Sequence, residues 1–83
     1  MEDKIVIIFH ILKRSISVDL EIPLDITVRE LVIGLNDAFD LGIDISDVKQ
    51  CYLKAENPIA LLRGNKLLRE YGLRNGSIIN YTE

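Results

Sequence analysis

The stretch KIVIIFHILKRSISVDLEI, residues 4–22, decides the architecture of this chain. Its second half alternates, with Ile16, Val18, Leu20 and Ile22 separated by Ser17, Asp19 and Glu21. Successive side chains of a strand point to opposite faces, so this spacing predicts a strand with one buried and one solvated face. The first half, Lys4 to Leu12, is a β-branched run too short for a typical helix. It predicts a strand buried on much of both faces and therefore central in its sheet. Lys13-Arg14-Ser15 is a polar break of hairpin length, so the two strands pair as an N-terminal hairpin. Pro23, with no N–H to give to a ladder, ends the second strand.

Downstream the period changes. Thr27-Val28-Arg29-Glu30 has the spacing of a capping box, in which the threonine hydroxyl and the glutamate carboxylate satisfy each other's backbone N–H. Val28, Leu31, Val32, Leu35 and Phe39 then recur at spacings of three and four, with Ile33 and Ala38 widening the stripe. A helix at about 28–39 follows, stopped near Gly42. Gly34 inside it costs about 1 kcal/mol relative to alanine, and close packing on the sheet would account for it. Residues 40–48 read as a loop anchored by Ile43, Ile45 and Val48, and residues 49–55 as a third strand. Glu56-Asn57-Pro58 is a turn, and Ile59 to Leu62 a short fourth strand ending at Gly64. Leu67, Leu68 and Tyr71 mark a helical turn, Asn75-Gly76 a tight turn, and Ser77 to Tyr81 a last strand.

One helix laid across one face of a mixed sheet of four to five strands is a two-layer α+β domain. Setting the last strand beside the first fills the centre of the sheet, which is the β-grasp arrangement. With 83 residues, the chain has room for one core, so residues 1–83 are read as a single domain. The 48% hydrophobic and 28% charged composition is that of a globular domain and disfavours disorder. The net charge of −3 argues against a nucleic-acid partner. The single cysteine excludes an intramolecular disulfide and a multi-cysteine metal site. Glu2-Asp3-Lys4 ahead of the apolar run is the wrong charge for a signal peptide, and no stretch approaches the roughly 20 apolar residues of a spanning helix. A cytoplasmic location without direct membrane insertion is expected.

Around Gly64-Asn-Lys-Leu-Leu-Arg-Glu-Tyr-Gly-Leu-Arg-Asn-Gly-Ser-Ile-Ile79 the chain resembles ubiquitin-like domains. That family places a Leu-x-x-Tyr-x-Leu/Ile element before a turn and the last strand, and Leu68, Tyr71 and Leu73 hold those positions, with Asn75-Gly76 as the turn. The sequence departs from ubiquitin at its end, Asn80-Tyr81-Thr82-Glu83, which has no diglycine. Conjugation and sulfur carriage both need that tail, so neither is expected unless a tail is missing from the sequence. Within the superfamily the chain is similar to the small bacterial proteins of the YukD/EsaB group, several of which share a run like Leu68 to Gly76. Those proteins accompany the type VII (ESX/Yuk-type) secretion apparatus of Gram-positive bacteria, and a related domain forms the cytoplasmic part of one of its membrane components. The resemblance implies a non-enzymatic accessory or regulatory role. The partner it implies is a protein, a membrane component or regulator of that apparatus, which would hold the chain at the inner face of the membrane. The alternatives are a modifier or sulfur carrier lacking its tail, or a ubiquitin-like scaffold domain of a larger protein; the Met1 start favours a complete small protein over the last. Edge strands leave monomer or weak homodimer open.

Chemistry-bearing residues are few. His10 and Cys51 could form an imidazole–thiolate pair, but each lies in a predicted strand with no third orienting group, and packing roles are the expectation. Asp37, Asp40, Asp44 and Asp47 are spaced by three or four rather than at the alternate positions of a calcium loop. They read as a solvated acidic face with local caps, and neither a metal nor a cofactor is expected. The glycines form no phosphate-binding fingerprint. Charge is segregated: residues 30–48 carry Glu30 and these four aspartates with no lysine or arginine. Residues 49–74 carry Lys49, Lys54, Arg63, Lys66, Arg69 and Arg74 against Glu56 and Glu70. An acidic helix end and a basic sheet face would orient a partner. The ubiquitin-like resemblance puts an exposed apolar contact residue at Leu61, with Ala60 and Leu62 leaning to the core. The candidate interface is Leu61 with Arg63 and Tyr81, and the second candidate is the acidic loop with Asp40, Asp44 and Asp47. Tyr71 is expected to tuck its hydroxyl against nearby backbone.

Overall fold

The computed structural model describes residues 3–82. Strands β1 (Lys4–Ile11), β2 (Ile16–Pro23), β3 (Tyr52–Glu56), β4 (Ala60–Arg63) and β5 (Ile78–Tyr81) form one 5-stranded sheet in the order β2-β1-β5-β3-β4. Helix α1 (Val28–Phe39) covers one face. The pairs β1–β2, β3–β4 and β3–β5 are antiparallel, and β1–β5 is parallel. The last strand therefore sits beside the first, as the β-grasp arrangement requires.

The hairpin and helix form for the reasons legible in their residues. Leu12–Arg14 make a single 3₁₀ turn closed by Ser15 in the left-handed region (φ 52°). At the helix start, the Thr27 hydroxyl accepts from the Glu30 N–H at 3.1 Å and the Glu30 carboxylate accepts from the Thr27 N–H at 3.0 Å. Two of the N–H groups that a helix start leaves unpaired are thereby satisfied. The helix stops at Asp40, which takes the left-handed conformation (φ 51°) usually given to glycine; Gly42 follows at φ 75°. Arg14 reaches across from the hairpin turn and donates to the carbonyls of Phe39 and Asp40 at 2.7 and 2.8 Å. A cation there complements the negative end of the helix dipole, and no basic residue of the helix's own last turn supplies one.

The core lies between α1 and the covered sheet face. Val28, Leu31, Val32 and Leu35 of α1 share one buried cluster with Ile5, Ile7, Phe9 and Ile11 of β1 and with Leu53, Leu62, Leu68 and Ile79. The Phe9 and Phe39 rings meet at 5.2 Å between centroids. Each fully buried aliphatic or aromatic side chain contributes about 1.5–3 kcal/mol relative to an exposed one. Ser77 is the buried polar residue of this layer, and its hydroxyl accepts from the Arg74 N–H at 3.0 Å and donates to the Asn57 carbonyl at 2.5 Å.

Several expectations are corrected. β1 is interior to the sheet but buried on one face only: Val6 is 43% exposed and Ile8 and His10 are half-buried, because no second layer covers that side. On edge strand β2 only Ile22 is buried, and Ile16 is exposed. Ile33 and Ala38 do not widen the helix stripe, since both are exposed. A Cβ on Gly34 would meet nothing within 4 Å, so close packing does not explain this glycine. Of the three loop anchors, Ile43 is buried whereas Ile45 and Val48 are exposed. The third strand begins at Tyr52 rather than 49, because Val48–Gln50 form a 3₁₀ turn in which the Asp47 side chain caps the Lys49 N–H.

Candidate protein-interaction site

The sheet face opposite α1 is open, and strand register decides which side chains share it. Leu53, Ala55 and Leu62 point into the core, so Tyr52, Lys54, Leu61 and Arg63 point away from it. Antiparallel pairing sets Lys54 opposite Leu61 and Tyr52 opposite Arg63. Leu61 is 47% exposed while Leu62 is fully buried and Ala60 half-buried, as the candidate interface requires of the three. Leu61 and Arg63 are thus brought together.

Tyr81 is not brought to them. Ile79 of β5 faces the core, and Tyr81, two residues on, pairs with the buried Ile11 and packs half-buried against the core. The β5 residues on the open face are Ile78 and Asn80, and Asn80 donates to the Glu56 carboxylate at 2.8 Å. Period-two counting from Ile79 carries this information in the sequence itself. The residues that do join Leu61 and Arg63 are Tyr52, Lys54, Val48 and Lys49, around an open depression of about 410 Å³. The β3–β4 register singles out Tyr52 and Lys54, and the 3₁₀ turn before β3 brings Val48 and Lys49.

The acidic loop is built of local caps. The Asp44 carboxylate accepts from the Ser46 hydroxyl at 2.6 Å and from the Ser46 N–H at 3.0 Å. These two bonds, the hydroxyl first, hold the Asp44 carboxyl below its ordinary value. Asp47 accepts from the Lys49 N–H at 3.0 Å and from the Gln50 side chain at 3.1 Å. Asp40 is the helix C-cap, exposed, with its carbonyl held by Arg14. Asn36 pins the loop from the helix, donating to the Ile43 carbonyl at 3.1 Å and accepting from its N–H at 2.9 Å. Among the described residues no group of three or more His, Cys, Asp or Glu side chains could hold a metal ion.

His10 and Cys51 do not meet. His10 lies on the open face of β1, whereas Cys51 belongs to the core and directs its thiol toward the Ile45 carbonyl at 3.6 Å. Tyr71 donates its hydroxyl to the Arg63 carbonyl at 3.1 Å, and the Lys66 ammonium stands 5.7 Å from its ring centroid. This contact ties the turn before β5 to the end of β4, beside the candidate site.

Residues 6–80 match the family model described as "WXG100 protein secretion system (Wss), protein YukD". The chain belongs to the YukD family. The match runs from β1 through β5 and takes in every residue of the β3–β4 depression. None of the curated proteins compared with the chain matches it. Among solved structures, it is similar to the C-terminal ubiquitin-like domain of mouse tubulin-specific chaperone e, with a TM-score of 0.69 and 12% identity over 99% of this chain and 90% of that one. At that identity the likeness concerns the fold alone, which is ubiquitin-like. The YukD family ties the chain to the Wss secretion system. No helix among the described residues is long and apolar enough to cross a membrane.

Proposed function

We propose that this YukD-family chain is a non-conjugating, ubiquitin-like protein-binding module, an accessory or regulatory component of a type VII secretion system of the kind found in Gram-positive bacteria. The family match over residues 6–80 is the observation that carries the reading. The geometry supports it with an exposed apolar residue, Leu61, held among cations on a sheet strand rather than on a loop. In this reading the chain works in the cytoplasm. It reaches the membrane through its partner, a membrane component or regulator of the apparatus, and the work is done by surface complementarity rather than by covalent chemistry. Leu61 and Arg63 supply the primary contact, and Asp40, Asp44, Asp47 and Tyr81 lie outside it.

The test is capture from detergent-solubilised lysate of the source organism, with the native chain and Leu61→Asp as parallel baits and the captured proteins identified by mass spectrometry. Components or regulators of the secretion apparatus should be recovered with the native bait and lost with Leu61→Asp. Recovery with both baits would move the site off this face. Recovery of activating or conjugating enzymes alone would refute the reading.

A further inference from the structure

The depression over β3 and β4 combines two features that suit a protein partner. Its walls carry the cations Lys49, Lys54 and Arg63, and its apolar surface comes from Val48, Leu61 and Tyr52. Val48 is 76% exposed and Leu61 47%. None of the ion pairs among the described residues involves these three cations. Three of the other cations are engaged: Arg69 with Asp25 at 2.6 Å and Asp3 at 3.0 Å, Lys4 with Glu21 at 4.0 Å, and Arg14 with the helix-end carbonyls. The carboxylates closest in sequence are already occupied, Glu56 by Asn80 and Asp47 by the backbone and side chain that follow it.

We infer that this depression binds an acidic peptide segment bearing an apolar side chain, the apolar group seated on Val48 and Leu61 and the carboxylates reaching Lys49, Lys54 and Arg63. The inference rests on the binding-module reading and names the chemistry of the partner. Charge complementarity selects the sign of the ligand and speeds encounter, while the buried apolar anchor supplies residence. A nucleic acid fits less well, since a phosphate backbone offers no aliphatic group for Val48 and Leu61. An anionic bilayer fits less well because polybasic membrane recognition ordinarily uses a larger cluster of cations.

The experiment uses the full chain, ¹⁵N-labelled, and three fluorescein-labelled probes read by NMR and anisotropy. The probes are a peptide rich in glutamate and aspartate with a central leucine pair, the same peptide with serines for the leucines, and the same with lysines for the acids. The acidic leucine peptide should shift the amides of Val48, Lys49, Tyr52, Lys54, Leu61 and Arg63. Its affinity should fall about tenfold with Lys54→Glu or Arg63→Glu and about tenfold with Leu61→Ser. Raising the salt should weaken it further, as expected of exposed charges. Because Lys54, Leu61 and Arg63 are exposed, these variants should keep the native amide spectrum outside the patch. Binding equal to that of the lysine peptide, shifts centred elsewhere, or tighter binding of a single-stranded oligonucleotide or of phosphatidylserine vesicles would overturn the inference. If it fails while Leu61-dependent capture of secretion components stands, only the partner's chemistry is wrong. If the acidic peptide binds here and no secretion component is captured, the binding face stands and the secretion reading falls.

Discussion

Ser77→Ala should be among the most damaging single-atom deletions in the chain. Ser77 is fully buried, and its hydroxyl serves two backbone groups at once, the Arg74 N–H at 3.0 Å and the Asn57 carbonyl at 2.5 Å. Alanine removes both bonds and adds no atom to replace the oxygen, so a donor and an acceptor beside the core lose their partner. A buried polar group left unsatisfied costs about 1–3 kcal/mol. Two fully buried groups would cost about 2–6 kcal/mol. These bonds are part-buried, to backbone groups of the exposed residues Asn57 and Arg74, so the expected loss is about 2–4 kcal/mol. A chain of this length has a total stability on the order of 4–12 kcal/mol. The loss is therefore a large fraction of the whole and should lower Tm by about 10–25 °C. The assay is urea unfolding followed by circular dichroism, with the slope against denaturant compared between variants to confirm that the same surface unfolds. Ser46→Ala is the control: its hydroxyl makes a 2.6 Å bond to Asp44, but in an exposed loop. That change should cost under about 0.5 kcal/mol, as surface substitutions usually do. A Ser77→Ala loss no larger than that of Ser46→Ala would refute the reasoning that this part-buried pair of bonds holds the start of β5 to the turn after β3.

Three further outcomes follow from the helix and its loop. Gly34→Ala should stabilise the chain by about 1 kcal/mol, because the position is helical, has open space for a Cβ, and gains in propensity; thermal unfolding checks it. Thr27→Ala should cost about 1 kcal/mol by breaking the capping box, with the Glu30 amide showing faster hydrogen exchange. The Asp44 carboxyl is held below its ordinary value by Ser46, so its folded-state value lies under its unfolded one. Its contribution to stability is then present above the ordinary carboxylate range and is lost as pH falls through the depressed folded value. A carbon-detected NMR titration should find Asp44 titrating low in the native chain and moving up toward the ordinary range in Ser46→Ala.

The sequence displays those elements whose signals are local. The alternation of Ile16 to Ile22, the Thr27–Glu30 box and the three-and-four spacing from Val28 to Phe39 each depend on neighbours in the chain, and each produced the element expected. What it hides depends on distant partners. The apolar run Ile5–Phe9 reads as a strand buried on both sides, and only the lack of a second layer leaves Val6 exposed. The β2 alternation likewise reads as a fully buried face, yet β2 is a sheet edge and only Ile22 is covered. Val48 resembles a core anchor by composition, but the 3₁₀ turn that Asp47 caps turns it out to solvent at 76% exposure. The site followed the same rule. Leu61 and Arg63 share a face because they are two residues apart on one strand, which sequence can count. Tyr81, on another strand, falls on the core side, whereas Lys54 joins them through a register that no local signal encodes.

The most direct test of the central claim is photo-crosslinking in living cells of the source organism. A photoreactive phenylalanine analogue would replace Leu61 in one strain and Arg29, on the exposed side of α1, in another. The predicted result is a crosslinked adduct from position 61, identified by mass spectrometry as a component or regulator of the secretion apparatus, with little from position 29. Adducts to that apparatus from position 29 and none from position 61, or adducts from position 61 only to unrelated proteins, would contradict it.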